Sequence, residues 1–195
     1  MFLDHPPTSE AVDVTFANDL QSEGYVMNLT RLWCWRPDVL DAFGDARATL
    51  LDDCELTDAD VALLVAATAA ARSDSYCSLA WGRRLAKHVG PDAAASVVAG
   101  GLEGLDDRAR ALTTWARQVV VDPNATSPAD VQRLRDVGLS ERAIFEATSH
   151  IAFRLAFSTI NDALGAAPDA QVAEAAPEAV REAVSFGRPP HSVPS

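Results

Sequence analysis

The side chains with chemistry to offer in this 195-residue sequence gather around one short stretch, SDSYCSLAWG (Ser73–Gly82). Cys77 is the nucleophile candidate: as a thiolate it would attack an electrophilic centre, provided its surroundings lower its pKa. Asp74 lies one helical turn earlier, and a carboxylate there raises a thiol's pKa instead. Asp74 is itself a candidate general acid or base, although a short acidic residue ahead of a helical run also suffices as a helix cap. Cys34 and Cys54 complete the set of three cysteines; none is within four residues of another, so there is no CxxC redox or zinc pair. An odd, widely spaced set also argues against a disulfide framework, and the plain reading is reduced thiols buried as small hydrophobes. Arg31, Trp33 and Trp35 form a second cluster, suited either to lining a pocket or to anchoring a subunit contact. His150 falls on an apolar helical face beside Ile151 and Arg154, where a satisfied core or interface histidine is expected. No second His, Cys or carboxylate stands at the i+3 or i+4 position from it, so no metal site is proposed. No cofactor is implied.

The elements that must position these residues read as helices throughout. A helical pattern begins at Val14, and Pro37 suits the first turn of a helix carrying Val39, Leu40, Phe43 and Ala46 or Leu50 on one face. Thr57 and Asp60 form a short version of the capping box before an alanine-rich run with Leu64, Val65, Thr68 and Ala71 at helical spacing. A polar break at Arg72–Ser75 splits that run, with Ser73 or Asp74 capping the second helix, and Gly90–Pro91 closes it. Pro91 to Gly104 reads as a short helix; Asp106–Asp107 opens another through Leu112, Trp115 and Val119. Ser127–Pro128–Ala129–Asp130 starts a helix that Gly138 ends. Ser140 caps a long one whose face carries Ile144, Ala147, Ile151, Leu155 and Ile160, stopping near Gly165, and Pro177 starts the last. No segment alternates at period two and no Asn-Gly or Asp-Gly turn is present. The expected fold is all-α, about eight helices: an irregular arm at 1–12, one domain at 13–186 and a loose tail at 187–195.

Composition narrows the function classes. The net charge is −12, with acids spread along the chain and no basic stripe, so a nucleic-acid or anionic-membrane partner is not expected. No apolar run approaches the roughly 20 residues that span a bilayer. The N-terminus MFLDHPPTSE lacks the basic and apolar regions of a signal peptide, which makes the cytoplasm the expected compartment.

Three stretches in order carry a resemblance: Gly24–Phe43, Leu56–Gly82 and Thr126–Gly165. Together, over about residues 15–170, the sequence resembles the carboxymuconolactone decarboxylase/alkylhydroperoxidase D (AhpD-like) family, especially its peroxidase-related branch. The resemblance implies an AhpD-like helical bundle that completes its core in a homo-oligomer. Active members carry a glutamate on the first core helix, then Cys-x-x-Cys-x-x-x-His at the start of the second. A helix N-terminus lowers the pKa of a cysteine, the second cysteine resolves the sulfenic acid, and histidine and glutamate relay protons. Laid on this sequence without a gap, the two cysteines fall on Asp74 and Cys77, the histidine on Trp81 and the glutamate on Ala62. Tyr76 and Ala80–Gly82 match the motif's surroundings. Asp60 sits about 200° around the helix from Ala62, and His88 roughly 10 Å beyond Trp81, so neither replaces a lost residue. Trp81 is expected to fill the old pocket as core, with stacking on an aromatic ligand as the alternative; Tyr76, Arg31 and Trp33 complete the pocket candidates.

Two classes of function remain open. The first is a non-catalytic or altered-activity oligomer binding a small hydrophobic or peroxide ligand. The other is an enzyme: an alkylhydroperoxidase-type oxidoreductase using Cys77 alone, or a decarboxylase- or isomerase-like enzyme using Asp74.

Overall fold

In the computed structural model, which describes residues 1–191, the chain follows its local signals closely. Eleven α-helices and one 3₁₀ turn make up the described residues, eight of the helices longer than six residues, and no strand is present among them. The architecture is all-α.

The organising element is α4 (Asp58–Ala71), apolar on every side, with every residue from Asp60 to Ala69 buried. A helix with no polar stripe must be surrounded. Here α5 (Ser75–Val89), α6 (Pro91–Val98), α7 (Asp107–Val121) and α9 (Glu141–Ala163) enclose it. Leu64, Leu85, Leu112, Val97 and Ile151 meet in this core with essentially no exposed surface, each contributing roughly 1.5–3 kcal/mol by burial. The capping box is formed as expected: Thr57 Oγ1 accepts from the Asp60 amide and Asp60 accepts from the Thr57 amide. Arg108 of α7 then binds Asp60 through Nε and Nη2, at 3.1 and 2.9 Å, tying two core helices together at one end.

The break between α4 and α5 is a tight reversal. The Asp74 amide donates to Ala69 O and the Ser73 amide to Ala70 O, with Ser73 in the left-handed region at φ 57°. This pair of bonds satisfies carbonyls that the end of α4 leaves open. Asp74 then caps α5 through its side chain, so one turn both ends α4 and starts α5. Further along α5, Gly82 lets Val180 of α11 (Glu178–Ala183) come close: a Cβ there would lie 2.7 Å from Val180 Cγ1.

Several sequence expectations are corrected. α1 (Glu10–Ser22) begins inside the expected arm, capped by Ser9. Two short helices, α2 (Asn28–Trp33) and α10 (Ala170–Glu174), carry no strong start signal and were not anticipated. The face of α3 (Pro37–Leu51) includes no buried residue: Leu40, Phe43 and Leu50 are half-buried, while Val39 and Ala46 are exposed. On α9, Ile160 is exposed because it lies nine residues, half a turn out of phase, from Ile151. The buried stripe continues instead through Arg154, Phe157, Ser158 and Asn161. The tail is anchored as far as His191, whose amide donates to Pro168 O, and the Arg188 carbonyl accepts from Ser75 Oγ. The rest of the expected loose tail, 192–195, lies outside the described residues.

Candidate functional site

Where α5 leaves its N-terminal turn, it faces the middle of α9, and α8 (Pro128–Asp136) lies apart from the contact. Asp74 is fully buried here. One carboxylate oxygen accepts from the Cys77 amide at 2.9 Å, and the other accepts from Ser158 Oγ of α9. Both oxygens therefore have structural partners, and Asp74 is not among the residues that line the neighbouring cavity.

Cys77 does reach that cavity, although only 2% of its surface is exposed. Burial pushes its thiol up to about 12; Arg154 opposes the shift and Asp74 reinforces it. The thiol therefore carries its proton at neutral pH. It accepts a hydrogen bond from Arg154 Nη1 at 3.1 Å. Cys34 and Cys54 are free thiols elsewhere in the fold, and Cys54 donates to Glu146 at 3.4 Å.

The cavity measures about 500 Å³ and opens between α5, α9, α10 and the loop before α2. Its apolar walls are Met27, Leu29, Trp81, Phe157 and Val172. Tyr76 lines it too, with its hydroxyl turned to Asp169, whose other oxygen accepts from the Asn28 amide. Burial and the Asp169 charge raise the pKa of Tyr76 well above the ordinary tyrosine range. Trp81, expected to fill the space as core, is half-buried and forms one wall of it. The Arg84 guanidinium lies 4.7 Å from the Trp81 ring centre and that of Arg154 lies 5.3 Å away.

Two expected pocket residues lie elsewhere. Trp33 is buried behind the site, donating to Asn161 Oδ1 at 2.8 Å and stacked 5.1 Å from Phe157. It supports the wall without touching the cavity. Arg31 sits over the Phe16 ring of α1, 5.6 Å from its centre, with Nε unpartnered. His150, expected to be satisfied, is buried with Nε2 lacking a partner, and it borders a small void beside Arg47 and Trp81. Burial and the nearby Arg47 charge lower its pKa.

The residues missed are the arginines. In sequence Arg154 stands out only as a neighbour of His150, and nothing local marks Arg47, Arg83 or Arg84. A signal existed on α9, where Glu146, His150, Arg154 and Ser158 recur every fourth residue within an otherwise apolar stripe. Buried polar side chains so spaced mark one line down the helix, and two of them, Arg154 and Ser158, meet the start of α5.

Comparison with known proteins bears on the fold. No protein-family model matches the sequence, and no curated protein is detectably similar to it. Solved structures do match. An AhpD-core, uncharacterised peroxidase-related protein from Ralstonia eutropha JMP134 superposes with a TM-score of 0.78 at 23% identity, covering 88% of this chain and 93% of that one. An uncharacterised peroxidase-related protein from Silicibacter sp. TM1040 gives 0.76 at 20% identity, with the same coverage. The debrominase Bmp8, in complex with 2,3,4-tribromopyrrole, gives 0.70 at 16% identity over 89% of this chain and 95% of its own. Across nearly its whole length, this chain has the fold of the AhpD core.

Proposed function

We propose that this protein is a small-molecule-binding member of the AhpD-like fold that does not run the peroxidase relay. The observation that carries the reading is the setting of Cys77: buried, and one helical turn from the buried Asp74 carboxylate, both of which raise the pKa of its thiol. A peroxidatic thiol needs the opposite environment, since thiolate is the attacking species. Asp74 stands where the resemblance puts the first cysteine, and both its oxygens are held. That occupation also argues against Asp74 as the acid or base of a decarboxylase- or isomerase-like reaction. The cavity beside Trp81 supports ligand binding, and the debrominase neighbour holds a flat aromatic molecule within the same fold.

A second reading, lone-thiol oxidoreductase chemistry, has one observation in its favour: Arg154 donates to the Cys77 sulfur. Consumption of cumene hydroperoxide with dithiothreitol, compared between wild type and Cys77→Ser, separates the two. The expected result is no turnover above buffer in either protein. Turnover in wild type that the serine variant abolishes would overturn the binding-only reading. Self-association belongs to the same proposal, supported by the half-covered apolar face of α3.

A further inference from the structure

A chain with net charge −12 places four of its sixteen basic residues around one cavity: Arg47 of α3, Arg83 and Arg84 of α5, and Arg154 of α9. Glu23 is the only carboxylate among the lining residues, and it is exposed. Elsewhere some arginines pair with acids, as Arg108 with Asp60, Arg133 with Asp130, Arg135 with Glu141 and Arg142 with Glu146, and others such as Arg117 and Arg181 donate to backbone carbonyls. None of the four cavity arginines forms an ion pair among the described residues. Arg154 is the extreme case. It is 5% exposed, its Nε has no partner, and its one hydrogen bond goes to a neutral thiol. A buried charge of this kind is costly unless something pairs with it. The cost shows in Arg47, whose pKa is lowered by burial and then by the Arg154 charge.

We propose that the cavity binds an organic monoanion, an aromatic carboxylate in its simplest form. Arg154 receives the charged group with help from Arg47 and Arg84, and the flat body lies against Trp81 and Phe157. This deepens the small-molecule-binding reading and rests on it. The guanidinium fork suits a carboxylate because two parallel N–H donors meet two oxygens. On Arg154 the parallel donor pair is Nε with Nη2; Nε has no partner among the described residues, while Nη1 is the donor to Cys77. Arg154 and Arg84 flank the Trp81 ring and Arg154 also covers Phe157, at 5.2 Å, so charge recognition and aromatic surface share one wall. A volume of about 500 Å³ accommodates one or two rings and lies within the usual range of small-molecule sites.

Calorimetric titration of the full-length protein with 2-naphthoate and with its neutral isostere 2-naphthamide tests this. Naphthoate is expected to bind roughly tenfold or more tighter, the effect of a charge-assisted pair in a shielded site. Arg154→Gln should erase that preference. Because Arg154 is buried, the exposed Arg84→Gln provides a second variant that leaves the core untouched, and it should weaken naphthoate several-fold while sparing naphthamide. Equal binding of acid and amide by wild type would overturn the anion proposal and leave the small-molecule-binding reading intact. Failure of both ligands to bind at millimolar concentration would overturn the proposal together with that reading.

Discussion

At the residue scale, Asp74 holds the start of α5 to the middle of α9 by receiving one hydrogen bond from each helix. Neither donor has access to water when the carboxylate is removed, because Asp74, Cys77 and Ser158 are all buried. Asp74→Ala should therefore lose both the cap and the buried acceptor, lowering stability by about 2–4 kcal/mol. Asp74→Asn keeps an oxygen for the Cys77 amide and should cost roughly 1 kcal/mol less. Urea denaturation of the three proteins checks the order. Equal stability of wild type and the alanine variant would show that the carboxylate is held for another purpose. Cys77 shows how a neighbourhood decides chemistry: the same helix-start position that activates a thiol elsewhere here receives a carboxylate cap, and burial does the rest.

At the element scale, α3 differs from the other long helices. Val39, Leu40, Phe43, Leu50 and Leu51 fall within about 120° of its circumference, the width of a stripe that normally faces a core. Yet the helix buries none of its residues, and Val39 and Leu51 are 41% and 46% exposed. A second copy of the chain is the occupant proposed for this half-covered face. Light scattering should return a multiple of the single-chain mass, and Leu51→Glu should shift it towards one chain by placing a charge in the apolar contact. A wild-type protein with the mass of one chain at micromolar concentration would remove self-association from the proposal. Arg47 sits in the same stripe, so covering α3 would also screen one side of the arginine cluster from water.

At the scale of the whole molecule, acidic groups divide the pH response into two windows. Asp38 is held near 2 by the hydrogen bond from Arg36, and Asp130 near 2 by the Ser127 hydroxyl, so both add stability as pH climbs from about 2 to 4. Asp162 works in the other direction. Burial, reinforced by the Asp74 charge, raises it to about 6, and the folded chain binds a proton there more tightly than the unfolded chain does. Its contribution is complete below the ordinary carboxylate pKa and is lost as pH rises from about 4 through 6. Asp162→Asn should remove that loss, leaving the variant more stable than wild type at pH 7 and flattening the profile between about 4 and 6. Thermal melting across that range checks it; parallel curves for the two proteins would rule out Asp162 as the titrating group.

The helices of this protein, and most of their ends, were legible in its residues alone. Thr57, Asp74, Asp106, Ser127 and Ser140 all cap helices where the chain says they should, because a cap is a contact across three residues and needs nothing distant. The departures from the resembled motif at Ala62, Asp74 and Trp81 rest on the sequence resemblance alone. The short helices α2 and α10 were not legible, since helices of five or six residues take their stability from what they dock against. Nor was the site's character. Cys77 and Trp81 both line the cavity, but whether Trp81 fills a space or walls one depends on packing between helices distant in the chain. Arg47, Arg84 and Arg154 come from three helices far apart in the chain, and nothing local to any of them announces the other two. Secondary structure here follows from interactions between near neighbours in sequence, whereas the charge of the cavity is a sum over groups that only packing brings within reach of one another.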